Sequence, residues 1–442
     1  MPRPLLTPLL VAVLLAPAAS VAQDAAPAVL TPEEAVRIAI RQSPTLEVAR
    51  RERNVDLLEA DRNRPGFRPE VSATVSQILR APQVDLPGRR DAVVLPNSIS
   101  RFEVGLKTPL YQFGAGSAPG ARADAMAAAA RSEYDQAVLD LALQVRESYL
   151  DLLRAQAFAE VARRGLALAR EHVEQTKLLE SRGLQAAVDV LQAQRSEAEA
   201  ESSLLKAEHG VVLARANVNR VLGRELETAF SPADPEALPG EPEPVSVLAA
   251  RAIAERPEIA LLRHQIEAAE AGIRLARAAR QPRVDLDVAY ALQTETALVP
   301  RSGIAAGVSL RVPIFDSAVH RYTVREAEER LAQLRSALRA AEQGVELEVT
   351  RERLGMEEAR SRIRTTERAV TAAEEVLSIA RLRLERGHAV QLEVENARLA
   401  LQRALTDRAA AELDLRLARA RLDRALGLGV PAGAVEAESA PR

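Results

Sequence analysis

Hydrophobic residues along this chain follow two different periods. Val71, Ala73 and Val75 alternate with Ser72, Thr74 and Ser76, and Phe102, Val104 and Leu106 alternate with Arg101, Glu103, Gly105 and Lys107. The same alternation returns at Val284, Leu286, Val288, Tyr290 and Leu292, and again at Val308, Leu310 and Val312. Period-2 patterns of this kind predict strands with one apolar and one polar face. They form two hairpins of roughly ten-residue strands, the length that crosses a bilayer when tilted. After each hairpin the pattern becomes helical. Residues 120–231 and 314–430 contain no proline, and Val138, Leu141, Val145, Tyr149 and Leu152 keep the heptad-like spacing of packed helices. Arg182-Gly183 and Arg386-Gly387 are the expected breaks, because glycine readily ends a helix. A helix over 118–181 would be roughly 95 Å long, a returning helix over 188–222 about 50 Å, and one over 45–62 about 25 Å. Placed end to end, the two shorter helices nearly match the long one.

The chain repeats this order. At one offset Pro44 falls on Pro257, Pro69 on Pro282, Val71 on Val284 and Val75 on Val288. At a second offset Val104-Gly105-Leu106-Lys107-Thr108-Pro109-Leu110-Tyr111 falls on Val308-Ser309-Leu310-Arg311-Val312-Pro313-Ile314-Phe315. Gly183 then falls on Gly387, and Leu222-Gly223 on Leu426-Gly427. The offsets differ because the first copy carries a longer loop between about 76 and 103. Repeat one is placed at 31–228 and repeat two at 244–429. A proline-rich linker over 229–243 joins them, and a tail follows over 430–442. Thr31-Pro32-Glu33-Glu34 opens the first repeat with a capping residue, a proline at the first helical position and acids in the first turn. Pro44 interrupts that helix, and Pro65-Gly66 stops its continuation.

The N-terminus reads as an export signal. Leu5 to Leu15 is an apolar run after Arg3, and Ser20-Val21-Ala22 fits a cleavage site, giving a signal peptide over 1–22 and a mature region over 23–442. Later stretches lack the roughly 18 continuous apolar residues of a membrane helix. Entry into a membrane would therefore use strands. Four strands cannot close a barrel, and open sheet edges cannot sit in lipid. Several chains would have to share one barrel.

Composition supports this picture. The 442 residues carry 59 Lys+Arg against 62 Asp+Glu, a balance unlike that of a basic nucleic-acid binder. The absence of cysteine excludes disulfides, thiolate metal sites and cysteine catalysis. Only 11 residues are aromatic, and seven of them lie within 67–113 or 290–322. Phe67, Tyr111, Phe113 and Phe315 flank strand ends, as an interfacial girdle would. His172, His209, His264, His320 and His388 have no partner at metal-ligand spacing. No nucleophile–base constellation or phosphate loop stands out, so an enzyme and a cofactor are not expected.

These features together resemble the TolC-type outer-membrane efflux protein family over essentially the whole mature length. The resemblance rests on the duplicated hairpin exits at 104–116 and 308–317, on Gly183 followed by Val188-Asp189-Val190-Leu191-Gln192-Ala193, and on the two Leu-Gly helix ends. It implies a mostly α fold with a small β part. Long coiled-coil-like helices would form a periplasmic α-barrel, and four strands from each of three chains would make a 12-stranded outer-membrane β-barrel. It also implies a homotrimer in outer-membrane lipid whose partners are a periplasmic adaptor (membrane fusion) protein and an inner-membrane transporter. The function implied is a passive exit duct of a tripartite efflux or secretion system.

By the same resemblance the helical hairpin turns form the periplasmic tip. Arg182, Gly183, Leu184, Arg386, Gly387 and His388 become candidate adaptor contacts. The family's entrance acids fall on Glu393 and Asn396, of which only Glu393 keeps the charge. Asp189 matches the acid of the first copy, while its expected arginine partner falls on Ala389. The competing readings are a periplasmic coiled-coil adaptor and a coiled-coil structural protein. An adaptor would have one helical hairpin and more β structure, and a structural coiled coil would need no strands of bilayer length.

Overall fold

The computed structural model describes residues 29–64, 69–79, 81, 84–95, 97–233, 238–241, 243–294, 299–315 and 318–431. The signal peptide expected over 1–22, Pro65-Gly66, Phe67, Ser317 and most of the tail lie outside the described residues.

Helix α1 spans Pro32–Gln42 and α2 spans Pro44–Asn63. The Thr31 hydroxyl accepts from the Glu34 N–H at 3.2 Å, and the Thr31 N–H donates to the Glu34 carboxylate at 3.1 Å. This reciprocal pair satisfies two amides that the first turn leaves open. Ser43 is extended (ψ 125°) because proline at position 44 disfavours a helical residue before it. The second repeat does the same: α5 (Val245–Glu255) and α6 (Pro257–Ala278) meet at an extended Arg256 (ψ 130°).

The long helices are α3 (Ala118–Ser181) with α4 (Ala187–Leu222), and α7 (Val319–Glu385) with α8 (Gln391–Ala425). Each pair is an antiparallel hairpin. α3 also packs on α2, α6 and α8, and α7 packs on α6 and α8. The wall is therefore four positions wide: α2 with α4, then α3, then α6 with α8, then α7. The two short helices on one long helix do meet end to end. Gly223, which closes α4, lies against Gln42 and Pro44, and Gly427, which closes α8, lies against Glu255 and Arg256.

The two repeats bury several of the same positions. Val36, Ile40, Leu46, Leu141, Val145, Leu152, Val218 and Leu222 belong to one cluster. Val345, Val349, Met356, Leu422 and Leu426 fill the corresponding positions of the second, with Ile259 in the place of Leu46. All five residues of the heptad-like series in α3 are buried, at 5% exposure or less. Tyr149 donates its hydroxyl proton to the Leu30 carbonyl at 2.8 Å and lies 3.3 Å from the Ala233 carbonyl. It sits beside the short parallel pair of β1 (Val29–Leu30) and β6 (Ser231–Pro232), which returns the linker to the start of repeat one.

Strands β2 (Glu70–Leu79), β5 (Ser98–Gln112), β7 (Arg283–Gln293) and β8 (Ser302–Arg311) form one antiparallel sheet in that order. The two hairpins are thus joined side by side through β5 and β7. β5 is 15 residues long, longer than its pattern indicated, and a shift at Pro109 marks where proline supplies no ladder N–H. The longer loop of repeat one also differs from the expectation of four strands alone. It contains a short hairpin, β3 (Val84–Leu86) with β4 (Arg89–Leu95), turning at Gly88 with φ +83°. Its irregular register leaves no clean alternation for a sequence reading to detect.

The register aligns like with like. Val71, Leu106, Val288 and Ala306 lie side by side, as do Ala73, Val104, Tyr290 and Ile304. On the other face Glu70, Lys107, Asp287 and Gly307 lie side by side, with Lys107 Nζ 3.8 Å from an Asp287 carboxylate oxygen. The apolar face is uncovered, with Val75 79%, Ile304 77% and Val308 66% exposed. Tyr111, Phe113 and Phe315 are exposed at the helix-proximal end of the sheet, and Tyr111 meets Phe113 edge to face at 4.9 Å. Among the described residues no helix is long and apolar enough to cross a membrane.

Candidate functional site: the two helical tips

The α3–α4 and α7–α8 turns have the same construction. Gly183 adopts φ +71° and Gly387 φ +73°. The Leu184 N–H donates to the Leu179 carbonyl at 2.9 Å, and the His388 N–H to the Arg383 carbonyl at 2.8 Å. This is a glycine-terminated helix end in which the chain reverses within a few residues. Arg182, Gly183, Leu184, Arg386, Gly387 and His388 are all exposed. A Cβ added at either glycine would meet nothing within 4 Å.

The candidate entrance acids are held differently. At the first tip a carboxylate oxygen of Asp189 accepts from the Ala186 N–H at 3.1 Å and so caps α4. At the second tip Glu393, in the first turn of α8, pairs with Arg383, in the last turns of α7. An Arg383 Nη lies 2.6 Å from a Glu393 carboxylate oxygen, and the other Nη donates to the His388 carbonyl at 3.3 Å. Asn396 is exposed one turn further along α8. The structure thus brings Arg383, His388 and Glu393 together and keeps Asp189 on its own turn. Arg383 was not legible as a partner, because a ten-residue separation across a reversed turn has no sequence period.

Two further polar groups join the repeats. His172 on α3 is buried, 3.4 Å from a Glu395 carboxylate oxygen on α8. Burial pushes its pKa down; the Glu395 carboxylate opposes that shift and Arg398 reinforces it. Nearer the middle of the chain's long axis, Arg256 contacts Glu258 at 3.0 Å and Glu348 at 2.8 Å. Arg424 contacts Asp140, Glu258 and Glu348 at 2.8, 2.8 and 3.1 Å. Desolvation would raise the Glu348 pKa, but the Arg256 and Arg424 guanidinium groups outweigh it and hold the carboxyl below its usual value. Among the described residues no group of three or more His, Cys, Asp or Glu side chains is assembled to hold a metal ion.

The chain is thus a duplicated one that carries a two-faced, four-stranded open sheet on long paired helices. It belongs to the outer membrane efflux protein family, whose model matches residues 35–224 and 248–428. The alkaline protease secretion protein AprF of Pseudomonas aeruginosa is 27% identical over 297 residues. That match covers 64% of this chain and 60% of the relative's length. Among solved structures, the outer membrane protein VceC of Vibrio cholerae aligns with a TM-score of 0.72 at 21% identity, covering 90% of this chain and 97% of that one. The CmeC outer membrane channel of Campylobacter jejuni aligns with a TM-score of 0.74 at 13% identity, covering 92% and 88%.

Proposed function

We propose that this protein is the outer-membrane exit duct of a tripartite efflux or secretion system. Substrate passes through it passively, delivered by an inner-membrane transporter through a periplasmic adaptor. The observation that carries this reading is the four-stranded sheet, apolar on one face, polar on the other, with β2 and β8 as open edges. Such edges are intolerable in lipid unless other strands pair with them. Three chains supply twelve strands and close a barrel with its polar face inward. The helical wall has matching needs. Leu205, Val212 and Leu213 on α4 and Leu347 and Leu354 on α7 are more than half exposed at its two outer positions. Neighbouring copies would cover them. Residues 1–22 act as the export signal, the two repeats and their linker form the mature duct, and the tail follows it. Native mass measurement in detergent should give three times the mature chain mass. A stable, folded monomer would overturn the reading.

The tips are the adaptor-contacting end in this proposal. Both glycines occupy the left-handed region, which costs residues with a Cβ about 1–2 kcal/mol. Gly183→Val and Gly387→Val should therefore distort the tips while leaving the sheet untouched. Expected results are normal membrane insertion with several-fold weaker adaptor crosslinking. Unchanged crosslinking and transport in both variants would remove the tips from the interface. Glu393 is proposed to face the tunnel near its entrance, with Asn396 one turn further and Asp189 at the neighbouring tip.

A further inference from the structure

We infer that Arg383 sets the charge of the entrance, by holding its guanidinium against Glu393 and cancelling the acid that would otherwise form a ring. This deepens the proposed reading and rests on Glu393 facing the tunnel.

The geometry shows a held arginine rather than a passing one. Its backbone carbonyl accepts from the His388 N–H at 2.8 Å, so its own position is part of the turn. One Nη reaches Glu393 at 2.6 Å and the other reaches the His388 carbonyl at 3.3 Å. The fork thereby spans α7, the turn and α8. Helix polarity favours the same arrangement. Arg383 lies near the C-terminus of α7, where partial negative charge collects, and Glu393 lies in the first turn of α8, where partial positive charge collects. The hairpin brings both ends to one place.

The duplication supplies an internal comparison. At the offset that carries Gly387 onto Gly183, Glu393 falls on Asp189 and Arg383 falls on Leu179. The first tip therefore has an acid at the matching place without the arginine, and Asp189 is bonded to the backbone N–H of Ala186 instead. The two tips are alike in backbone and different in charge.

The pair contributes little to stability. Its side chains are 51% and 41% exposed, and exposed pairs contribute about 0.2–1 kcal/mol. Its consequence is the field. Three carboxylates around a narrow entrance would draw cations strongly. Three carboxylates each matched by a guanidinium at contact distance leave small dipoles. Their field fades well within the screening length of about 10 Å at 0.1 M salt.

Reversal potentials across a salt gradient test this. Wild type, Arg383→Gln, Glu393→Gln and the double variant are inserted as full-length oligomers into planar bilayers at low potassium chloride. Arg383→Gln should raise the potassium-over-chloride permeability ratio by about twofold or more, because it exposes the acid ring. Glu393→Gln should lower the ratio, because it leaves an unmatched arginine. The double variant should return close to wild type, since each change removes the charge the other left exposed. If Glu393→Gln lowers the ratio and Arg383→Gln leaves it unchanged, the neutralising role falls while Glu393 keeps its place in the tunnel. If neither single variant changes the ratio, Glu393 does not face the pore, and the inference falls with the reading beneath it.

Discussion

Gly223→Ala is expected to destabilise the folded chain by about 2–5 kcal/mol, the sum of a left-handed strain of about 1–2 and an overpacking cost of about 1–3. Gly223 closes α4 with φ +75°. An added Cβ would lie 2.3 Å from the Gln42 carbonyl oxygen and 2.9 Å from its carbon. Both are backbone atoms of the α1–α2 break, so no side-chain rotation relieves the clash. Asn219, fully buried one turn earlier, donates to the Leu226 and Thr228 carbonyls at 3.0 and 2.9 Å and fixes the chain that leaves the helix. The end of α4 therefore has little freedom to retreat. Two controls separate the causes. Gly183→Ala has almost the same φ but open space around the new methyl, so it should show the strain alone. Gly272→Ala, in α6 with nothing within 4 Å, should be neutral or slightly stabilising. The measurement is the thermal unfolding midpoint of the purified protein together with its membrane yield. A Gly223→Ala midpoint equal to that of Gly272→Ala would refute the close-contact argument.

Arg256→Ala should cost on the order of 3 kcal/mol, because breaking a buried ion-pair network leaves its remaining charges uncompensated. Arg256 is 3% exposed and contacts Glu258 and Glu348, which also share Arg424. Without Arg256, three acids (Asp140, Glu258 and Glu348) would depend on one guanidinium. The network fastens α3, α6, α7 and α8, so its loss loosens the seam between the repeats. Arg256→Lys keeps the charge but not the fork and should fall between. The expected readout is an earlier thermal midpoint that falls further as salt is lowered. An Arg256→Ala protein as stable as wild type would show that the network is dispensable.

Much of the fold was legible because it follows from local chemistry. Pro44 and Pro257 disfavour a helical residue before them, so the two breaks at Ser43 and Arg256 are marked in the sequence. The helix expected over 118–181 is the α3 observed, Ala118–Ser181, because prolines and a tip glycine bound it. The apolar alternation placed Val71, Val104, Val288 and Val308 on one face of the sheet, since strand geometry leaves no other choice once pairing begins. Duplication reinforced this, because the Pro44 break, the Gly183 tip and the Leu222-Gly223 end recur at Pro257, Gly387 and Leu426-Gly427.

What escaped the sequence depends on which residues distant segments bring together. The β3–β4 hairpin sits in the longer loop with an irregular register, so no period betrays it. Arg256, Glu258 and Glu348 have Ser43, Thr45 and Gln144 at the matching places of repeat one, so duplication gave no hint of their network. His172 has no partner at metal-ligand spacing in the sequence, and only the packing of α8 on α3 sets Glu395 beside it. Glu393 read as an acid by itself, and only the reversal of the chain at Gly387 set Arg383 against it.

The amino-acid sequence by itself determined the duplicated order of elements, the breaks, the tips and the faces of the strands. Each of these is set by backbone dihedral limits and by hydrophobic period within a few residues. Only the tertiary structure decided that β5 pairs with β7, that α4 ends on the α1–α2 break, and which charges cancel. Those are facts of distance between segments far apart in the chain, and electrostatic and steric energies depend on distance in space rather than separation in sequence.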